Sequence, residues 1–208
     1  IGHEAGLNLT SGGQNVAIGY HAGYNNQTGV YNVHIGVQAG YGAASNSANT
    51  NTFVGYKAGY DVSSGYSNVA IGGGALENVT TGYDNVVVGN YAGSTLTTTN
   101  FVTLVGRMAG ASINHTDANH TVAIGYQALH DLTSGQNNTA VGYRTLADLT
   151  TGDRNTSVGY GALDAITTGN DNTALGWGAG SSTSNTTGTN NTFLGSEAGN
   201  QLFNKNDN

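Results

Sequence analysis

The residues best suited to chemistry are aromatic. Tyr126, Tyr143, Tyr160 and Trp177 each follow a glycine and lie 17 residues apart. Tyr20 and Tyr56 share their column, and Tyr24, Tyr41 and Tyr60 form a second, shorter one. If 17 residues make one turn of a stacked coil, successive rings sit about 4.8 Å apart. An exposed column of that kind can stack on sugar rings. It can equally pack against neighbouring coils or a second chain. The four consecutive residues are therefore the candidate glycan-binding set.

Other reactive residues are scattered. The six histidines, His3, His21, His34, His115, His120 and His130, occupy different columns. His115 and His120 share a loop with Asp117, where two imidazoles and a carboxylate could meet a metal but read more simply as facing water. Asp61, Asp131 and Asp148 share a column that intervening coils interrupt, and the Gly-Gly-x-Gly-x-Asp calcium nonapeptide is absent. Twelve acids spread along the chain do not supply the paired carboxylates of glycoside hydrolysis. The serines sit in turns without a partnered histidine. The expectation is no enzyme, no cofactor and no metal. Paired threonines resemble the arrays of ice-binding solenoids, although each pair precedes a glycine in a turn. Nine Asn-x-Ser/Thr sequons, among them Asn8, Asn78 and Asn155, matter only where the source glycosylates them.

What positions these residues is a short repeat. Asn15-Val16-Ala17-Ile18-Gly19 returns as Asn68–Gly72, Asn138–Gly142 and Asn172–Gly176. The glycine ending each phrase recurs twelve times from Gly2 to Gly195, at intervals of 17 with 19 at every fourth step from Gly36. Gly55, Gly125 and Gly195 are 70 residues apart, so the larger unit is a 70-residue block. The blocks run over about 2–71, 72–141 and 142–200, and 201–208 leave the pattern as a tail or linker. The extra residues fall in 41–50, 111–120 and 181–190 and should bulge as loops.

The columns assign jobs. The residue before each marker glycine is always aliphatic, from Ile1 to Leu194. The residue three after it is Ala in eleven of twelve copies, with Thr145 the exception. Asn stands four before it in nine of eleven copies, Val102 and Thr121 departing. An apolar residue usually stands seven after it, as in Val62, Leu96 and Leu149, followed by a turn such as Thr80-Thr81-Gly82. So short and strict a period means stacked coils that cannot bury a face alone. Seventeen residues hold two short strands and two turns, not a helix pair. The expected fold is all-β: a parallel β-solenoid of about twelve coils with a thin core, aliphatic residues on one wall and Ala on the other. Stacked Asn amides should pair from coil to coil as ladders do in cross-β structures.

Composition narrows the partners. Charged residues are 8% of the chain, against roughly a quarter in ordinary soluble domains. The chain has 34 Gly, no Pro, no Cys and a formal charge of −7. Five basic residues without a patch are a poor match for nucleic acid, and no apolar run approaches the ~20 residues that span a bilayer. The chain opens inside a repeat at Ile1-Gly2, as a segment of something longer would.

The phrase Asn-(Thr/Val)-Ala-Ile-Gly resembles the head repeat of YadA-type trimeric autotransporter adhesins. Its longer form, as in Asn191–Gly199, is similar to repeats of bacterial and phage tail-fibre-domain proteins. That resemblance covers Ile1 to about Asn200. It implies a left-handed β-roll, three chains side by side, and an extracellular, cell-surface or virion tail-fibre setting. A core too thin for one chain points the same way, to self-association as a homotrimer or a filament. The expected function is a rod that spaces and presents a binding tip. The alternatives are a glycan-binding module using the aromatic columns or the insertion loops, and an ice-binding solenoid.

Overall fold

The computed structural model describes residues 1–44, 46–115, 118–181 and 186–200. Eleven three-residue strands stack in chain order into one parallel sheet: β1 (Val16–Ile18), β2 (Val33–Ile35), β3 (Thr52–Val54), β4 (Val69–Ile71), β5 (Val86–Val88), β6 (Thr103–Val105), β7 (Val122–Ile124), β8 (Thr139–Val141), β9 (Thr156–Val158), β10 (Thr173–Leu175) and β11 (Thr192–Leu194). The chain is thus a parallel β-solenoid of about ten turns of roughly 17 residues. Register is uniform, each residue pairing with its equivalent one coil on. The sheet runs unbroken past both expected block boundaries.

Two expectations are corrected. Among the described residues no coil has more than one strand, where two were expected. The rest is turn, built from left-handed residues in fixed columns such as Gln14, Tyr31 and Phe101, or His21, Gln38 and Lys57. The aliphatic column also faces the other way. Successive strand side chains alternate between faces. In a three-residue strand both flanks therefore share a face and the middle residue takes the other. The middle residues, including Phe53, Val87, Leu104 and Ala140, are buried, while Val16, Ile18, Ile71, Val86, Ile124, Leu175 and Leu194 are exposed. The aliphatic column is the outer wall. The core lies between the strand middles, the Ala column and the apolar column that follows it, with Ala92, Leu96 and Ile113 fully buried. One chain closes this core by itself.

The marker glycines are a steric requirement. Gly55 has φ +136°, and a Cβ there would lie 2.5 Å from the Gly72 carbonyl oxygen of the next coil. A side chain is excluded by backbone at coil spacing.

The Asn column forms the expected ladder, and it is buried. Asn51, Asn68 and Asn85 donate their backbone N–H groups to Oδ1 of Asn32, Asn51 and Asn68, at 2.9, 2.9 and 3.2 Å. Their Nδ2 groups reach turn carbonyls, Asn51 to Gly65 at 2.9 Å and Asn68 to Gly82 at 2.7 Å. Each amide ties its coil to two neighbours rather than to its own backbone. The ladder lapses at Val102 and Thr121, and buried Thr121 Oγ1 has no hydrogen-bond partner among the described residues. The Ala-column exception also has a partner. Thr145 Oγ1 donates to Ser157 Oγ at 2.7 Å, and Ser157 Oγ donates to the Ala162 carbonyl at 2.9 Å, all three residues buried.

The insertions do not simply bulge. In the first, Asn46 and Ala48 are buried and Asn46 bridges to Asn26. Ser45, Thr116, Asp117, residues 182–185 and the tail 201–208 lie outside the described residues. No described helix is long and apolar enough to cross a membrane.

Candidate functional site

The coil turns place the aromatic column one residue past each marker glycine, beside the outer edge of the sheet. Backbone bonds hold those turns in register: Arg144 N–H donates to the Tyr126 carbonyl at 2.9 Å and Gly161 N–H to that of Tyr143 at 2.8 Å. The structure brings all four predicted residues together. Ring centroids are 5.2 Å apart for Tyr126–Tyr143, 4.7 Å for Tyr143–Tyr160 and 6.3 Å for Tyr160–Trp177, with interplanar angles of 17°, 7° and 19°.

The stacking decides what the ladder offers. Tyr143 and Tyr160 have a ring on each side, so they turn edges and hydroxyls to solvent rather than open faces. Arg107 lies over the Tyr126 ring at 5.7 Å and closes the first end. At the other end Trp177 is 54% exposed, and the next coil carries Ser196 where a ring would continue the stack. Among the described residues, Trp177 is the one member whose outward face neither a ring nor a cation covers.

Tyr20 and Tyr56, in the same column, stand apart from this stack. Tyr20 packs against His3 and His21, and Tyr56 lies near the Lys57 ammonium. The second column stacks as expected, Tyr24–Tyr41 and Tyr41–Tyr60 each at 5.0 Å. A third group escaped the sequence reading: Tyr66 on Tyr83 at 4.8 Å, continued by Phe101 and His120. Its signal was present, since Tyr66 and Tyr83 both lie six residues before a marker glycine.

Charged groups near these ladders pair locally. Lys57 reaches Glu77 at 3.5 Å, and Arg154 holds Asp171 through two nitrogens at 2.7 and 2.9 Å. That guanidinium holds the Asp171 carboxyl below its ordinary range. Burial, reinforced by Asp148, raises the Asp164 carboxyl. Gln127, His130, Asp131, Arg144 and Asp148 line a surface cleft in which His130 bonds Asp131 at 2.5 Å. Of the sequence-suggested loop group, Asp117 lies outside the described residues, and His120 stacks on Phe101 at 5.2 Å.

The threonine pairs have structural work. Thr80, Thr133 and Thr150 donate their hydroxyls to carbonyls one coil on, Thr97, Thr150 and Thr167, at 3.2, 3.0 and 2.9 Å. Of the sequons, Asn155 is buried within the Asn ladder and Asn78 is engaged at the surface with the Ser94 carbonyl.

No protein-family model, curated protein or solved structure matches the chain.

Proposed function

We propose that this chain is a rod segment of an extracellular fibre, on a cell surface or a virion tail, that self-associates side by side, as a trimer, and holds a binding tip away from its anchor. One observation carries the reading: the outer wall of the sheet. Val, Ile, Leu and Thr occupy both flanks of every strand, and neither flank is buried in any strand. Ten coil steps make this strip about 50 Å long. Soluble monomers rarely leave so continuous an apolar surface uncovered. A thin core is no longer a reason for a trimer, because one chain fills its own. The reason is that the wall left outside carries an unbroken aliphatic column, Ile18 to Leu194, beside a mixed Val/Thr column, and repeats at coil spacing, so another copy matches it in period and chemistry. The adhesin resemblance supports three copies and a left-handed roll.

The test is a pair of outward lysines, Ile71→Lys with Ile124→Lys, compared with the unaltered chain by sedimentation equilibrium. The reading expects a mass three times 21.1 kDa for the unaltered chain and 21.1 kDa for the variant, with unchanged circular dichroism. An unaltered chain that sediments as a monomer rejects side-by-side assembly.

A second reading, glycan binding, rests on Trp177 alone, through its exposed and uncovered ring face. Retention on a glycan array that Trp177→Ala abolishes supports it, and no retention by the unaltered chain removes it.

A further inference from the structure

Sequence columns keep the six histidines apart, yet neighbouring columns on neighbouring coils bring two of them together. His3 follows the first marker glycine, Glu4 follows His3, and His21 occupies the Glu4 position one coil on. Backbone, not side chains, sets this register. His21 N–H donates to the His3 carbonyl at 3.0 Å, and Gly19 N–H donates to that of Ile1 at 2.8 Å. Glu4 and His21 share the left-handed turn conformation, with φ +55° and +54°. Their side chains therefore leave equivalent points one coil spacing apart and converge.

His21 Nε2 lies 2.6 Å from Glu4 Oε2. One ligand atom from each of His3, Glu4 and His21 lies within 4.8 Å of the other two, and this is the one such trio found among the described residues. A tetrahedral zinc ion with bonds of about 2.0–2.1 Å holds its donors roughly 3.3 Å apart. Small side-chain rotations bridge that difference, opening the His21–Glu4 pair and closing on His3. The imidazoles are also steadied. Tyr20 stacks on His3 at 5.6 Å and on His21 at 3.7 Å, and Tyr24 lies 4.7 Å from His21. Ordered rings lose less freedom when they take up an ion.

We propose that His3, Glu4 and His21 form a binding site for a single divalent transition-metal ion of the zinc type, which clips the first coil to the second. Two imidazole nitrogens and one carboxylate favour zinc over calcium or magnesium, which take oxygen donors. Three protein ligands leave a fourth position for water or a donor from outside the chain. Among the described residues the site occurs once. The equivalent positions elsewhere read Val37-Gln38, Tyr56-Lys57 or Tyr126-Gln127, so it marks one end of the described solenoid rather than repeating with the coil.

The experiment uses the full chain, freed of metal by chelator and dialysis. It is titrated calorimetrically with ZnCl2, and separately with CaCl2 and MgCl2. Cobalt(II) serves as an optical probe, because its visible absorption distinguishes tetrahedral from hexa-aqua coordination. The variants are His21→Gln, which installs the residue the column uses at Gln38 and Gln127, His3→Gln, and His130→Gln as a control. The proposal expects one zinc per chain, no comparable calcium or magnesium binding, and a tetrahedral cobalt spectrum. It expects zinc affinity to fall at least about tenfold in His21→Gln and in His3→Gln, as loss of metal-site groups typically does. His130→Gln should bind as the unaltered chain does, and zinc should raise the melting temperature of the unaltered chain but not of His21→Gln. Circular dichroism shows whether each variant remains folded. Binding that survives His3→Gln combined with His21→Gln, that matches calcium binding, or that is absent from the unaltered chain overturns it.

Discussion

The coil of β3 and the coil of β8 fill the same cross-section in opposite ways. In the first, Phe53 stands in the middle of the strand and Gly59 faces it across the core; in the second, Ala140 stands in the strand and Leu146 faces it. A Cβ on Gly59 would lie 2.5 Å from Phe53 Cδ2, so the glycine is the space the ring occupies. Leu146 has φ +53°, a left-handed conformation that disfavours a bulky side chain by about 1–2 kcal/mol. Burying leucine offsets this, contributing about 1.5–3 kcal/mol. Most other coils choose between the same two solutions. Leu76, Leu129 and Leu163 stand six residues after the small Ala70, Ala123 and Ser157, whereas Gly40 and Gly110 face His34 and Leu104, and the space at Gly93 is filled first by Leu104 and Leu76 of the adjacent coils and then by Val87. Where both positions are small, neighbours lean in: a Cβ on Gly180 would lie 2.6 Å from both Leu163 and Phe193. What the stack keeps constant is the filled volume, shared between the two columns of a coil and, where both are small, with the coils beside it.

That comparison breaks most severely with Gly59→Leu. A large residue added while Phe53 remains should destabilise the chain by more than the usual 1–3 kcal/mol of overpacking, because strain at φ +60° adds to the clash. Thermal or denaturant unfolding would show it, and a loss below about 1 kcal/mol would mean the two columns do not share one space. Phe53→Ala should lose about 3–5 kcal/mol by leaving a cavity opposite a glycine. Leu146→Gly should lose somewhat less, about 2–4 kcal/mol, because it also relieves a left-handed leucine.

His34 sharpens the comparison through pH. It fills the strand position in a glycine-faced coil, stacks on Phe53 at 5.6 Å, and keeps Nε2 buried without a hydrogen-bond partner among the described residues. Burial pushes its imidazole down to about 4 from 6.5. Above pH 6.5 the residue is neutral folded and unfolded, and stability does not depend on it. Between 6.5 and about 4 the unfolded chain takes up the proton and the folded chain does not, so stability falls, by roughly 3 kcal/mol in all, and then levels off. His34→Phe should remove that slope, as measured by denaturant midpoints across this range. A slope that persists unchanged assigns the acid sensitivity to another group.

A smaller effect is expected from Asn155→Ala. It removes the acceptor for Asn172 N–H at 3.0 Å and the donor to the Gly169 carbonyl at 2.8 Å. A loss of about 1–3 kcal/mol should follow, with faster amide exchange at Asn172 by nuclear magnetic resonance. Unchanged exchange there would show that the ladder follows the coil rather than holding it.

Much of this architecture was legible in the residues. The period gave the stacking, the Ala column gave the small wall, and the Asn column gave the ladder, because each of these positions has one solution repeated at nearly every coil. The inner strand position was illegible for the opposite reason. Read alone, the column Ala17, His34, Phe53, Ala70, Val87 looks unconstrained, since its constraint is shared with the residue six positions later. The uniform aliphatic residues beside it looked like the core and are the outer wall. In the aromatic column, spacing made the ladder legible. That its inner faces would be consumed by stacking was not, because it depends on ring orientation. His3 and His21 met for a related reason, as members of different columns on adjacent coils.

The central claim, one volume divided between two columns, is tested most directly by the double substitution Phe53→Ala with Gly59→Leu, which converts the β3 coil to the β8 arrangement. The account predicts a folded solenoid more stable than Gly59→Leu and more stable than Phe53→Ala, with a favourable coupling of about 1–3 kcal/mol by double-mutant cycle. Losses that simply add, or a double variant less stable than both single ones, would contradict it.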